Sequence, residues 1–94
     1  MLLTLLGLAL AAVIIFCITL AMVKDHIRDN IRNDTKLAAV IKQRTANGKY
    51  KVRSGVFNRS GEVTAAKEWE ANEIDSELER NFGNSNEIVL ETAS

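Results

Sequence analysis

The feature that most constrains this chain is an uncharged apolar run at its N-terminus. Residues 1–23, MLLTLLGLALAAVIIFCITLAMV, contain no Asp, Glu, Lys or Arg, and the first charged residues are Lys24 and Asp25. As one continuous α-helix, this run would cross the roughly 30 Å hydrocarbon core of a bilayer. We therefore predict a transmembrane helix over residues 1–23.

Two other uses of an apolar N-terminus fit less well. A cleaved signal peptide has a basic start, a shorter apolar run and a small-x-small cleavage site, whereas here only the small residues near Thr19 and Ala21 resemble such a site. Bacterial lipidation at Cys17 would require a small residue before the cysteine, where Phe16 stands. An uncleaved anchor is the preferred interpretation, and an exported domain released by cleavage stays as an alternative.

Charge is distributed unevenly although the net charge is zero. Residues 24–53 carry nine Lys or Arg against three Asp, and residues 62–94 carry nine acids against two bases. Because Lys and Arg accumulate on the cytoplasmic side of a membrane span, this pattern predicts a single-pass protein with its N-terminus outside and its C-terminal domain in the cytoplasm. The basic residues predicted to contact anionic lipid are Lys24, Arg28, Arg32 and Lys36.

Residues 24–47 are predicted to form a helical stalk next to the membrane. Val23, Ile27 and Ile31 recur at helical spacing, and the apolar stripe continues through Ala38 and Ile41. The helix either runs unbroken or bends near Asn33, where Asn, Asp and Thr offer an N-cap for a second helix. Asn47 and Gly48 would end it.

From residue 48 the pattern predicts a small β-rich domain extending to residue 91. Residues 49–57 and 62–71 alternate in the manner of strands, and a turn over residues 58–61 joins them. Two registers are open. The preferred one pairs Tyr50 with Trp69 on one face, and a bulge at Gly61 would shift the pairing by one residue, placing Phe57 opposite Val63.

A short helix and a third strand complete the predicted domain. Ile74, Leu78 and Phe82 are spaced four apart, Ser76 and Glu79 have capping-box spacing, and Gly83 would end the helix. An extension of the second strand through Ile74 stays as an alternative. Residues 86–91, NEIVLE, read as a strand, and residues 92–94 as a frayed tail. The predicted fold class is therefore α+β: a single N-terminal transmembrane helix with a helical stalk, then a small three-stranded antiparallel sheet with one short helix.

Few residues offer chemistry. His26 is the sole histidine, so Ser-His-Asp triads and multi-histidine metal sites are excluded by count. Asp25, Asp29 and Asn30 lie near it on the predicted helix and are interpreted as a solvated surface paired with Arg28 and Arg32. Acidic pairs such as Glu68 and Glu70 have no partner that would make them catalytic. The glycines are scattered singly, so no phosphate loop is present. We expect no enzyme activity, catalytic residue, metal site or cofactor.

Other residues are candidates for contacts. Gly7 and Ala11 form a small-xxx-small pair that is typical of contacts between transmembrane helices. Tyr50 and Trp69 are interpreted as a core pair or, alternatively, as anchors for a protein partner. Nucleic acid is not expected as a partner, because the acidic second strand would cancel the field of the basic first strand.

The leading functional hypothesis is a non-enzymatic, membrane-anchored interaction or accessory protein that presents its small domain to a protein partner. The alternative is a membrane-surface effector whose basic stalk binds anionic lipid. The sequence leaves the identity of the partner, the biological process and the oligomeric state open.

Overall fold

The N-terminal apolar run is interrupted at Thr19. In the computed structural model, which describes residues 5–91, strand β1 occupies Ala12–Ile18 and helix α1 occupies Leu20–Asn30. Thr19 has extended backbone angles and its hydroxyl accepts a hydrogen bond from the backbone N–H of Met22, so it caps the helix. The β-branched residues before it favour a strand. One apolar run thus becomes two elements.

The predicted membrane topology is wrong. Within residues 5–91, no helix has both the length and the apolar character needed to cross a bilayer. A strand and an amphipathic helix stand where the transmembrane helix was predicted. The predicted single-pass arrangement with a cytoplasmic C-terminal domain is therefore wrong as well. Residues 1–4 of the predicted anchor and the predicted frayed tail, 92–94, lie outside the described residues.

The described chain folds into one five-stranded sheet with two helices. After α1 come β2 (Thr35–Arg44), β3 (Tyr50–Asn58), β4 (Val63–Ile74), helix α2 (Ser76–Phe82) and β5 (Glu87–Glu91). The strand order is β1-β4-β3-β2-β5, with β1 parallel to β4 and the other pairs antiparallel. The α+β class is as expected, but the sheet has five strands rather than three.

The predicted stalk also divides. Helix α1 ends at Asn30, and a turn follows in which the Thr35 hydroxyl accepts from the backbone N–H of Arg32 at 2.7 Å. The next apolar residues, 37–41, form the buried middle of β2 instead of continuing a helix. A strand with neighbours on both sides and cover on both faces carries a continuous apolar run, and periodicity alone does not distinguish such a run from a buried helix.

The β3–β4 hairpin forms with a register that differs from both predictions over most of its length. Phe57 lies opposite Val63, as the bulged alternative expects. A second irregularity, between Val56 and Phe57, shifts the remaining pairs by one further residue. Trp69 therefore lies opposite Val52, and Tyr50 opposite Ala71. The predicted pairing of Tyr50 with Trp69 is wrong.

The C-terminal elements agree with the sequence pattern. Helix α2 covers Ser76–Phe82 and Gly83 follows it with a φ of 60°. The N-cap is Asp75, whose carboxylate accepts from the backbone N–H of Leu78 at 2.8 Å, one residue earlier than the predicted capping box. β5 then pairs antiparallel with β2.

The two helices cover one face of the sheet, which we call the helix face. Its buried core includes residues from both helices and from the middle strands, namely Ile18, Val23, Ile27, Ala38, Val40, Val52, Trp69, Ala71, Leu78 and Phe82. Successive strand residues alternate between faces, so Arg53, Gly55 and Glu68 lie on the opposite face.

Residues 5–8 cover part of that opposite face, and we call them the N-terminal segment. Leu5 is fully buried in a second apolar cluster with Leu37, Ala39, Ile41 and Phe57. The Arg53 guanidinium donates through Nη1 to the carbonyl oxygens of Leu5, Leu6 and Leu8 at 2.7–3.0 Å. Its Nε donates to Glu68 Oε1 at 2.6 Å. A buried ion pair therefore fixes the N-terminal segment to the sheet.

Candidate functional site

The most exposed large apolar side chains of the described chain lie on edge strand β1. Ile14 is 73% exposed and Phe16 is 66% exposed, whereas isoleucine and phenylalanine are usually buried in folded proteins. Both point to the face that carries the N-terminal segment, because Ile14 is in register with Glu70 on β4. The strand sequence AVIIFCI contains no charged residue and no proline. β1 therefore lacks two of the features, charged residues and proline, that commonly prevent an edge strand from pairing.

The main-chain groups on the outer side of β1 can be assigned from one hydrogen bond. The Ile18 carbonyl accepts from the backbone N–H of Asp75 at the end of β4. Because the N–H and C=O of one residue point to the same side of a strand and alternate along it, the even-numbered residues of β1 face β4. The groups of Val13, Ile15 and Cys17 then point outward, where the sheet described here has no further strand.

The other edge of the sheet differs in charge. β5 also exposes apolar residues, Val89 and Leu90, but Glu87 and Glu91 flank them. Charged residues on an edge strand oppose the addition of another strand, since a carboxylate would have to lose water at the new contact. The two edges are thus chemically unequal, and β1 is the one open to an apolar strand.

A small pocket of about 370 Å³ lies between α1 and β4 on the helix face. His26 and Trp69 form its aromatic wall, with their rings edge to face and their centroids 5.8 Å apart. His26 Nδ1 is 3.1 Å from the hydroxyl oxygen of Ser54, which is fully buried. Lys67 Nζ lies 5.4 Å from the Trp69 ring centroid, a cation–π distance.

The electrostatics of this pocket favour a neutral histidine. Partial burial lowers the pKa of His26, and the positive charge of Lys67 lowers it further, against a smaller opposite effect of Asp29. Arg28 donates to Asp25 at 2.7 Å and lies 3.9 Å from Asp29, so the carboxylates at the rim already have a cation. The pocket resembles a satisfied polar cluster beside the core.

The serine beside the pocket is buried and is not an accessible nucleophile. Ser54 is covered by its surroundings, so its hydroxyl cannot reach a substrate, and it serves to orient the His26 ring. Over residues 5–91, no group of three His, Cys, Asp or Glu side chains could hold a metal ion.

A larger basic notch, about 630 Å³, lies where β2 extends beyond the start of β5. Lys42, Arg44 and Lys51 line it together with Asn86. Each cation has a neighbour: Lys42 lies 3.6 Å from Glu79, Lys51 lies 3.9 Å from Glu70, and Arg44 stacks on Tyr50 and donates to its hydroxyl at 2.7 Å. The carboxylates of Glu79 and Glu70 lower the net positive field of the notch.

The residues predicted to contact lipid do not form one stripe. Lys24 and Arg28 are on α1, Arg32 lies in the turn after it, and Lys36 is on β2. Arg28 and Arg32 are ion-paired, Arg32 with Asp34 at 2.9 Å. Lipid contact by these four residues stays a prediction.

The other predicted contact residues are dispersed. Trp69 is buried at the centre of the helix face, and Tyr50 is partly exposed at the start of β3 under Arg44. Gly7 and Ala11 lie in the irregular chain before β1, so they do not share a helix. A partner contact by Tyr50 and Trp69 stays a prediction, and Trp69 offers a partner almost no surface.

Sequence reasoning missed Ile14 and Phe16 because they were read as part of a spanning helix. A signal for a strand is present in the sequence: Val13, Ile14 and Ile15 are consecutive β-branched residues, and the N-capping Thr19 follows soon after. No protein-family model, curated protein or solved structure matches this chain.

Proposed function

We propose that this chain is a non-enzymatic interaction domain that binds an uncharged, apolar, extended protein segment as an added strand along β1. The observation that carries the proposal is the exposure of Ile14 and Phe16 on an edge strand without a charged residue. Strand addition combines main-chain hydrogen bonds, which supply affinity, with contacts of alternate side chains, which supply specificity.

The side chains of β1 define the chemistry of the partner. Ile14 and Phe16 are two residues apart and project on the same face, so they offer adjacent apolar contacts to a strand laid beside them. Glu70 lies directly behind Ile14 on β4, and its carboxylate would repel an acid placed there. An uncharged segment with alternate apolar residues fits this edge best.

The remaining surface supports a binding role rather than catalysis. His26 Nδ1 is engaged with the buried Ser54 hydroxyl, and the acids around it are paired with Arg28. General acid–base or nucleophilic catalysis requires an accessible reactive group beside a site for the substrate. In the His26 pocket, the hydroxyl beside the imidazole belongs to the buried Ser54 and is not accessible to a substrate.

A peptide-binding experiment tests the proposal. An uncharged peptide of alternating valine and threonine is added to the dilute full-length chain, and amide hydrogen exchange is followed residue by residue. We expect slower exchange at Val13, Ile15 and Cys17, because the outward amides become hydrogen-bonded. The matched peptide with glutamate in place of threonine should give much weaker protection.

Two variants serve as controls. Ile14→Lys should abolish the protection by placing a charge in the new contact, and Val89→Lys, a matched change on the other edge, should leave it intact. Protection at β5 alone, or equal protection by both peptides, would refute strand addition at β1.

A further inference from the structure

We infer that the strand added to β1 is β1 of a second copy of this chain, in an antiparallel pair with its two-fold axis at Ile15. This inference rests on the proposed strand addition and names its partner. A strand without charge is complementary to itself, and a two-fold pair closes after two copies.

The main-chain geometry selects the position of the axis. The outward residues of β1 are Val13, Ile15 and Cys17, which is a set symmetric about Ile15. An antiparallel pair centred there places Ile15 opposite Ile15 of the second copy, and Val13 opposite Cys17, as hydrogen-bonded pairs. An axis one residue to either side would leave one of the three outward residues without a partner inside the strand.

The side chains fit the same axis. Between the hydrogen-bonded pairs, Ile14 of one copy lies opposite Phe16 of the other, at the close spacing of a non-hydrogen-bonded pair. This arrangement brings together the two most exposed large apolar side chains of the described chain. Pairs between an aromatic and a β-branched residue are among the favourable cross-strand pairs.

The charges of the other edge disfavour the competing arrangements. In β5, Ile88 and Leu90 face β2, so Glu87, Val89 and Glu91 have outward main-chain groups. A two-fold pair of β5 strands would set Glu87 opposite Glu91 of the second copy, where like charges repel. Pairing β1 of one copy with β5 of the next would not close and would place the same acids against apolar residues.

The combined sheet keeps the helices together. A two-fold axis perpendicular to the sheet leaves the helix face of both copies on one side and the faces carrying the N-terminal segments on the other. Ten strands result, which is within the range of open sheets. Both β1 strands then occupy the centre, so the dimer presents only the acid-flanked β5 edges to solvent.

The first measurement is the mass of the full-length chain across a concentration series by sedimentation equilibrium. We expect a monomer–dimer equilibrium. Ile14→Lys should weaken the dimer by about tenfold or more, since two lysines enter the contact in one dimer. Val89→Lys should leave the equilibrium unchanged, and circular dichroism of both variants checks that the sheet is intact.

Disulfide trapping tests the axis. In Val13→Cys, the new cysteine lies opposite the native Cys17 of the second copy, at a Cα spacing of about 5.5 Å that a disulfide can bridge. The same pair within one strand is four residues apart, which is too far to close. Ala11→Cys is the control, because it meets Cys17 only if the axis lies at Ile14. Oxidation at alkaline pH is needed, since partial burial and the nearby Glu73 and Asp75 raise the pKa of Cys17.

The outcomes separate the two proposals. Rapid trapping of Val13→Cys dimers without trapping of Ala11→Cys supports the inference. A chain that stays monomeric at the highest concentration attainable without precipitation overturns it, while peptide protection of β1 in that monomer would leave strand addition standing. A dimer that survives Ile14→Lys and dissociates in Val89→Lys overturns both, because β5 would then be the binding edge.

Discussion

The two faces of the sheet are stabilised in different ways. The helix face is covered by α1 and α2, and its cluster is built from apolar side chains around the buried Trp69. The opposite face is covered in part by residues 5–8, where Leu5 is buried in a smaller apolar cluster and the Arg53–Glu68 ion pair holds three backbone carbonyls. Apolar packing is spread over many contacts, whereas the polar attachment depends on one guanidinium. The second face should therefore be the more sensitive to single changes of charge.

The largest effect is expected from Trp69→Ala on the helix face. Truncation of this fully packed ring should lower the free energy of unfolding by about 4 kcal/mol, through lost burial and a residual cavity. Urea unfolding followed by circular dichroism measures the change. Leu90→Ala, at a half-exposed position, is the control and should cost less than about 1 kcal/mol. Similar costs for both would mean that the helix face is not the main core.

Arg53→Ala tests the polar attachment of the opposite face. It leaves the Glu68 carboxylate, only 4% exposed, without its cation and removes the donor to three carbonyls. We expect a loss of about 3 kcal/mol in the free energy of unfolding, together with faster amide exchange in residues 5–8.

The double variant Arg53→Met/Glu68→Leu removes both charges of the ion pair and replaces them with apolar side chains. It should be more stable than Arg53→Ala, because no uncompensated charge is left in the sheet. A double variant that is less stable than Arg53→Ala would show that the ion pair itself, and not the avoidance of an isolated charge, stabilises this face.

Gly55→Ala tests the close approach of the N-terminal segment. A Cβ at this position would lie 2.7 Å from Leu5 Cδ1 and 3.2 Å from Cδ2, so the buried leucine would have to move. We expect a loss of about 1–2 kcal/mol in unfolding free energy. Adding Leu5→Ala should cost less in this background than in the wild type, as a double-mutant cycle would reveal. If the effects of the two changes on unfolding free energy were additive, the contact between Leu5 and residue 55 would be contradicted.

The smallest effect is expected from titration of His26 on the helix face. Its pKa is lowered in the folded state, so the unfolded chain binds the proton more readily. Stability should therefore be fully present above the ordinary pKa of histidine and decrease as the pH falls through the folded-state value. Urea unfolding at pH 7.5 and pH 5 should show this decrease in the wild type, and a smaller one in His26→Gln. Equal pH dependence in the two proteins would exclude His26 as its source.

The predictable parts of the fold are those where local pattern and tertiary structure agree. Helix α2 was predicted from the spacing of Leu78 and Phe82, and the β3–β4 hairpin from alternation, because each element has one clearly apolar side. Ile74, which the same spacing assigned to the helix, is the last residue of β4. The N-terminal region was misread because an uncharged run of this length satisfies the criterion for a spanning helix. Only Thr19, which ends a strand and caps a helix, divides it, and a single threonine is a weak local signal.

The candidate site was harder to predict for a related reason. The sequence indicates that Ile14 and Phe16 are apolar, but their exposure follows from the place of β1 at the end of the strand order. The aromatic pair of His26 and Trp69 likewise depends on how α1 packs across β4, which no local pattern contains. Strand order and helix packing are properties of the whole chain.

The parallel pairing of β1 with β4 also has a consequence for the order of folding. Ala12 pairs with Glu68 and Ile18 with Ile74. During synthesis β1 is made before β4, so it cannot form these pairs until β4 has been made. The meander of β2, β3 and β4 involves shorter loops and can form earlier, since loop closure is cheaper for near neighbours. β1 is therefore expected to dock last, and until then its apolar residues are accessible to other nascent chains. The timing of translation, as well as the final geometry, decides whether this strand completes its own sheet before it meets another copy.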